Sequence, residues 1–215
     1  MRNADALQAL DRDLRAVFGN RLRSLVTYRT DDDEGPVSTM AIVQSLTADD
    51  LRTCAQRGTI WRGRGLATPL VLEAGEFDRS LDAFPFEFGS ILAEHEIVSG
   101  PDPFDGLAVD PADLRRACEV RARSHLLHLR EGYLEVSARS EAVADLIARS
   151  APALAALLKH VARLFGAFDV PPVLARVAEL GSAGTLSAEE AHRLFPGYLE
   201  AVTRLVSDLD RWTHP

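Results

Sequence analysis

From position 114 onward, Leu114, Cys118, Ala122, Leu126, Leu129, Tyr133 and Val136 recur at spacings of three and four. A strand would need an alternation of two, so this stripe admits only a helix, of about six or seven turns. Asp110-Pro111 stands just before it, a side-chain oxygen to cap the first amide followed by a residue that has none to lose. Such a helix cannot bury its apolar face alone. It needs partners, and the sequence supplies them. Ser140 opens a second helical pattern, which Pro152 is expected to interrupt or kink. Leu154, Leu157, Leu158, Val161, Leu164 and Phe165 form the next apolar face. Pro171-Pro172 starts another helix, and Ser187 with Glu190 caps a short one. Pro196-Gly197 is expected to break that helix before a last one carrying Tyr198, Val202, Leu205, Leu209 and Trp212. Four or five helices with short loops make a bundle.

Before Asp110 the pattern is different. Leu7, Leu10, Leu14, Val17 and Phe18 lie on one helical face that ends at Gly19-Asn20. Strands are expected at 22–29 and 38–46. A short helix capped by Thr47 and Asp50 is expected at 48–58, then a loop at 61–65, a strand at 69–72, a short helix at 76–83 and strand over most of 84–98. Gly100-Pro101-Asp102-Pro103 reads as a linker. The expected fold class is therefore α+β: a mixed α/β domain over 1–108, then an all-α helical bundle over 109–215.

Charge divides the chain at the same place. Up to Asp110 there are 11 basic and 19 acidic residues, and from Pro111 onward 13 of each, so the net −8 belongs to the first part. Such an acidic half repels a phosphate backbone, and nucleic acid is not expected as a partner. Charges interrupt every apolar run, and the N-terminus lacks a signal-like apolar stretch, so neither a membrane span nor a leader is expected. Cys54 and Cys118, with no paired spacing, fit a reducing compartment without structural zinc. A cytoplasmic protein is the expectation.

Residues 23–46, RSLVTYRTDDDEGPVSTMAIVQSL, read as strand, polar loop, strand after an amphipathic helix. Later come Trp61-Arg62, the run Ala67-Thr68-Pro69-Leu70-Val71-Leu72, Asp82 to Phe88, and Val98 to Pro103 before the long helix. In this order the segments resemble a minimal nucleotidyltransferase domain of the DNA polymerase beta type with a helical C-terminal domain, as in aminoglycoside nucleotidyltransferases. The resemblance implies a Gly-Ser pair after the first strand, two alternating carboxylates on the second and a third carboxylate later. Here Arg29 and Thr30 stand at the Gly-Ser positions, Thr39 and Ala41 at the paired carboxylates, and Ser90 at the third.

These departures reach the chemistry. Alternate residues of a strand point the same way, so two carboxylates there hold two magnesium ions across the reacting phosphate. Thr39 offers one neutral oxygen and Ala41 none, whereas magnesium prefers charged oxygen ligands. A pair of aspartates placed at 39 and 41 is expected to face an open site and to bind magnesium again. The leading reading is a catalytically inactive nucleotidyltransferase-like protein that binds a ligand or serves as a scaffold, with no cofactor. The alternative is a divergent active enzyme that transfers a nucleotidyl group from a nucleoside triphosphate to a small-molecule or protein hydroxyl. It would use Asp31, Asp33 or Glu87 for Mg2+, the first two within the acidic loop Asp31-Asp32-Asp33-Glu34.

Two further groups are candidates for binding. Arg62 and Arg64, between glycines beside Trp61, and with them Arg29 and Thr30, suit a phosphate. Arg121, His125 and His128 follow one flank of the long helix and suit an anion or acid–base work. Arg123 with His128 also matches the Arg-x4-His spacing of helical HEPN-type ribonucleases, but on a continuous helix those side chains diverge by about 140°. The partner expected is a small molecule or a protein of unspecified kind, and a homodimer is compatible with the chain.

Overall fold

The computed structural model describes residues 2–28, 35–136, 140–166, 168–180 and 186–212. The chain divides into two compact units, Met1–Val109 and Asp110–Pro215. The first is a small mixed sheet with short helices and the second is all helix, so the class is α+β.

In the first unit, helix α1 (Arg2–Phe18) leads through a single 3-10 turn into β1 (Leu22–Tyr28), which is followed by β2 (Ser38–Val43). Helices α2 (Ala48–Ala55) and α3 (Gly58–Gly63) precede β3 (Leu70–Glu73). Then come α4 (Ala74–Phe77), α5 (Ser80–Ala83), α6 (Pro85–Ala93) and β4 (His95–Ser99). The sheet order is β3-β2-β1-β4, with β1 antiparallel to both neighbours and β2 parallel to β3.

The pleat divides the core. Leu25, Ala41 and Val43 join Leu10, Leu14 and Phe18 of α1, with Trp61 and Leu66, on one face. Val26, Met40 and Ile42 join Phe77, Phe88, Ile91 and Phe104 on the other. Phe77 meets Phe88 and Phe104 edge-to-face, at centroid distances of 5.9 and 5.3 Å. Arg21 grips Asp50 through two hydrogen bonds of 2.7 Å, while Asp50 also caps α2 with Thr47. This single carboxylate therefore ties the 3-10 turn after α1 to the start of α2. The Arg21 and Thr47 bonds hold it well below the usual carboxylate range.

Two expectations for this unit are overturned. Residues 84–98 are not mostly strand: Pro85 opens helix α6, and strand is confined to β4. The run PFEFGSILA is apolar on nearly every side, so its period is hidden, and the proline at the first helical position is the signal that counted. The segment Gly100–Pro103 is not a free linker. Ser24 donates to the Pro101 carbonyl at 2.6 Å, Asp102 meets His95 at 3.1 Å and accepts from the Phe104 amide at 2.8 Å, and Phe104 is buried. Gly100 has φ +82°, and a Cβ there would lie 2.0 Å from the Arg23 carbonyl oxygen. A glycine is required by both the backbone angle and the space.

The second unit holds α7 (Pro111–Val136), α8 (Ser140–Phe165), α9 (Pro172–Glu179) and α10 (Ala188–Arg211). The Asp110 side chain accepts from the Ala112 amide at 2.7 Å and caps α7. Helices α7, α8 and α10 pack on one another, and α9 packs on α8 and α10. Tyr133 and Phe195 stack at 4.2 Å. Pro152 does not interrupt α8, and Pro196-Gly197 does not break α10. Each proline removes one backbone bond. Around Pro196, however, the buried Phe195, Tyr198 and Val202 hold the helix together through packing.

Candidate functional site

The two β2 positions singled out by the sequence resemblance come first. Thr39 and Ala41 alternate on one strand and both are 0% exposed. Ala41 pairs with Leu25 of β1 and Val71 of β3, and it lies in the cluster that includes Trp61 and Leu66. Ala41 thus lies in a packed apolar cluster, where an aspartate would meet apolar neighbours. The Thr39 hydroxyl is buried without a hydrogen-bond partner among the described residues. Neither position fits a magnesium ion, one supplying no oxygen and the other a neutral one. Ser90 and Glu87 lie on helix α6 and not on a strand, and Glu87 is exposed. Arg29, Thr30 and the acidic residues Asp31, Asp32, Asp33 and Glu34 lie outside the described residues.

The tryptophan loop is a short helix, α3. Trp61 is buried and donates from Nε1 to Asp13 at 2.9 Å, and Arg57 reaches the other Asp13 oxygen at 2.6 Å. Arg62 is exposed and donates to Thr59. Arg64 lines an open hollow with Arg12, Asp5 and the backbone of Gly63 and Gly65, and Arg62 does not. The two arginines are thus not brought to one point.

The helical unit contains the more organised polar site. His125, at 9% exposure, faces inward from α7, and its Nε2 lies 2.6 Å from the Tyr198 hydroxyl of α10. That hydroxyl is 2.9 Å from Ser150 Oγ of α8, which in turn donates to the Ile147 carbonyl at 2.7 Å. One hydrogen-bonded chain thus links the three main helices. Burial pushes the His125 ring down to about 4, and the neighbouring His128 adds to this. Burial likewise raises the Tyr198 hydroxyl. Both side chains are therefore neutral at pH 7.

His125 and His128 line a cavity of about 230 Å³ with Arg149 and Ser150, against Leu129 and Leu146. Arg121 is exposed and is not among the lining residues. Arg123 is bound to Glu119 at 2.8 Å and Asp210 at 3.2 Å, away from His128, which contacts Glu131. Arg149, Ser150 and Tyr198 carried no signal in the sequence. Tyr198 lies 73 residues from His125, and its spacing marks it as ordinary core.

Among the described residues, no three or more of the His, Cys, Asp and Glu side chains gather as a metal-binding group, and no helix is long and apolar enough to cross a membrane. The sequence matches no family model and no curated protein. Among solved structures, the chain is similar over 96% of its length to spectinomycin adenyltransferase AAD(9) from Enterococcus faecialis, solved with ATP and spectinomycin. The match covers 99% of that chain at 12% identity, with a TM-score of 0.48.

Proposed function

We propose that this chain is a nucleotidyltransferase-like protein that does not transfer nucleotidyl groups, and that it acts by binding a ligand or partner. The observation that carries this reading is Ala41. The sequence resemblance sets it at the position of a metal-binding carboxylate, and in the structure it is fully buried in an apolar cluster with Leu25, Trp61 and Leu66. The apolar neighbours of Ala41 supply no oxygen ligand, which supports the absence of a metal site on this strand. Thr39, two residues earlier, is buried as well.

The test is direct. The wild-type protein, incubated with magnesium and each nucleoside triphosphate in the presence of aminoglycoside or protein acceptors, should release no pyrophosphate. A triphosphate at a hundred times its Kd would add about 2.7 kcal/mol of stability, and no magnesium-dependent rise in Tm is expected. Ala41→Asp should lower stability by roughly 3–5 kcal/mol, the cost of an unpaired buried charge, and should gain no magnesium binding by calorimetry. Magnesium-dependent turnover that is lost in Asp31→Asn, Asp33→Asn or Glu87→Gln would establish the divergent active enzyme instead.

A further inference from the structure

The cavity in the helical unit is independent of what β2 can or cannot do. Its polar lining comes from two helices: His125 and His128 from α7, and Arg149 and Ser150 from α8. Arg149 is exposed, and no negative side chain lines the cavity. Glu131 is 3.5 Å from His128, but both are more than 70% exposed, so water screens that pair.

The hydrogen-bonded chain behind the cavity adds a second property. Two hydroxyls in series can donate in either sense. In one sense His125 Nε2–H donates to Tyr198, Tyr198 to Ser150, and Ser150 to the Ile147 carbonyl, which uses every hydrogen. Nδ1 then carries a lone pair. In the reverse sense Ser150 donates to Tyr198 and Tyr198 to Nε2, and the histidine hydrogen moves to Nδ1. No described residue bonds Nδ1 in either case. The reverse sense gives up the bond from Ser150 to Ile147, so it prevails where something outside the chain needs a donor at Nδ1.

We infer that this cavity binds a small oxyanion, a carboxylate or a phosphate monoester, held by Arg149 and His128 and by an Nδ1–H of His125 that the Tyr198–Ser150 relay supplies. A volume of about 230 Å³ lies below the roughly 300–1,000 Å³ of sites for drug-sized ligands, so the occupant is a small metabolite. Leu129 and Leu146 offer apolar surface for its carbon skeleton.

The experiment is a titration of the full chain, carrying 15N-labelled histidine and arginine, with sodium acetate and separately with inorganic phosphate. Ionic strength is held constant with sodium chloride, and NMR is the readout. One or both oxyanions should shift the His128 and Arg149 side-chain signals saturably, and the two arms say which group is preferred. Long-range proton–nitrogen spectra should show His125 passing from the Nε2–H to the Nδ1–H tautomer. Arg149 is exposed, so Arg149→Gln should fold normally and weaken binding at least threefold. Arg204→Gln, on the exposed face of α10 beside Glu200, should leave it unchanged. Absence of saturable shifts, a weakening below threefold, an equal effect of Arg204→Gln, or a His125 ring that stays Nε2–H throughout would each overturn the site.

Discussion

Acid should destabilise the helical unit through His125, in a pH range mostly above that of the carboxylates. An imidazole titrates ordinarily at 6.5, and in the folded unit this ring is held down at about 4 by burial. Between those values the unfolded chain accepts a proton that the folded chain refuses. Stability is therefore intact above pH 6.5 and declines as pH falls towards 4. Each unit of separation is worth about 1.4 kcal/mol, so the full loss is about 3 kcal/mol, of which about 2 is reached by pH 4.5. That is a large share of the roughly 5–15 kcal/mol that holds a domain folded. Asp11, Asp50, Glu119 and Glu190 are also depressed by their partners, but their ordinary values are 3.8 and 4.5, so their losses fall mainly below this window. His125→Gln removes the titration and places an amide N–H where Nε2 stood. Urea unfolding followed by far-UV circular dichroism, in half-unit steps from pH 7.5 to 4.5, should show the wild type losing about 2 kcal/mol more than the variant. Two curves that fall in parallel to within about 0.5 kcal/mol would refute the argument, because His125 would then titrate alike in both states.

Tyr198→Phe deletes the hydroxyl between His125 and Ser150 and leaves a buried ring nitrogen without its partner; it should cost about 1–3 kcal/mol of stability, measured by urea unfolding. Gly100→Ala combines a left-handed backbone angle with a collision against the Arg23 carbonyl. A loss of at least about 1–3 kcal/mol is expected, measured as a fall in the Tm of the first unit. Asp13→Asn should loosen Trp61, whose indole N–H and neighbour Arg57 both depend on that carboxylate; a red shift and quenching of its fluorescence would report it.

Much of the fold was legible because it is periodic. The stripe from Leu114 to Val136 could be nothing but α7, and α1 announced itself through Leu10, Leu14 and Phe18. Helix α6 was not legible, because Pro85 to Ala93 is too uniformly apolar to show a face. Pro196 signalled a break that the packing of Phe195, Tyr198 and Val202 overrules. That Thr39 and Ala41 carry no carboxylate was visible in the sequence, but the burial of Ala41 was not, since it depends on Trp61 and Leu66, which join it in one cluster. The same holds for His125. Its place on the edge of a helical stripe suggests a surface residue, and what draws it inward is a tyrosine from another helix.

Cys54 belongs to the first unit and Cys118 to the second, and both thiols are buried. Burial raises both, Cys118 to about 12, so at neutral pH each is almost wholly the unreactive thiol and shielded from reagents. Modification must then wait for the surrounding structure to open. The chain thus carries one built-in clock per unit. In a native-state labelling experiment, peptide mapping of Cys54 and Cys118 would read the opening free energies of the sheet unit and the helical unit separately. A ligand that slows one clock and leaves the other running would thereby declare which unit it occupies.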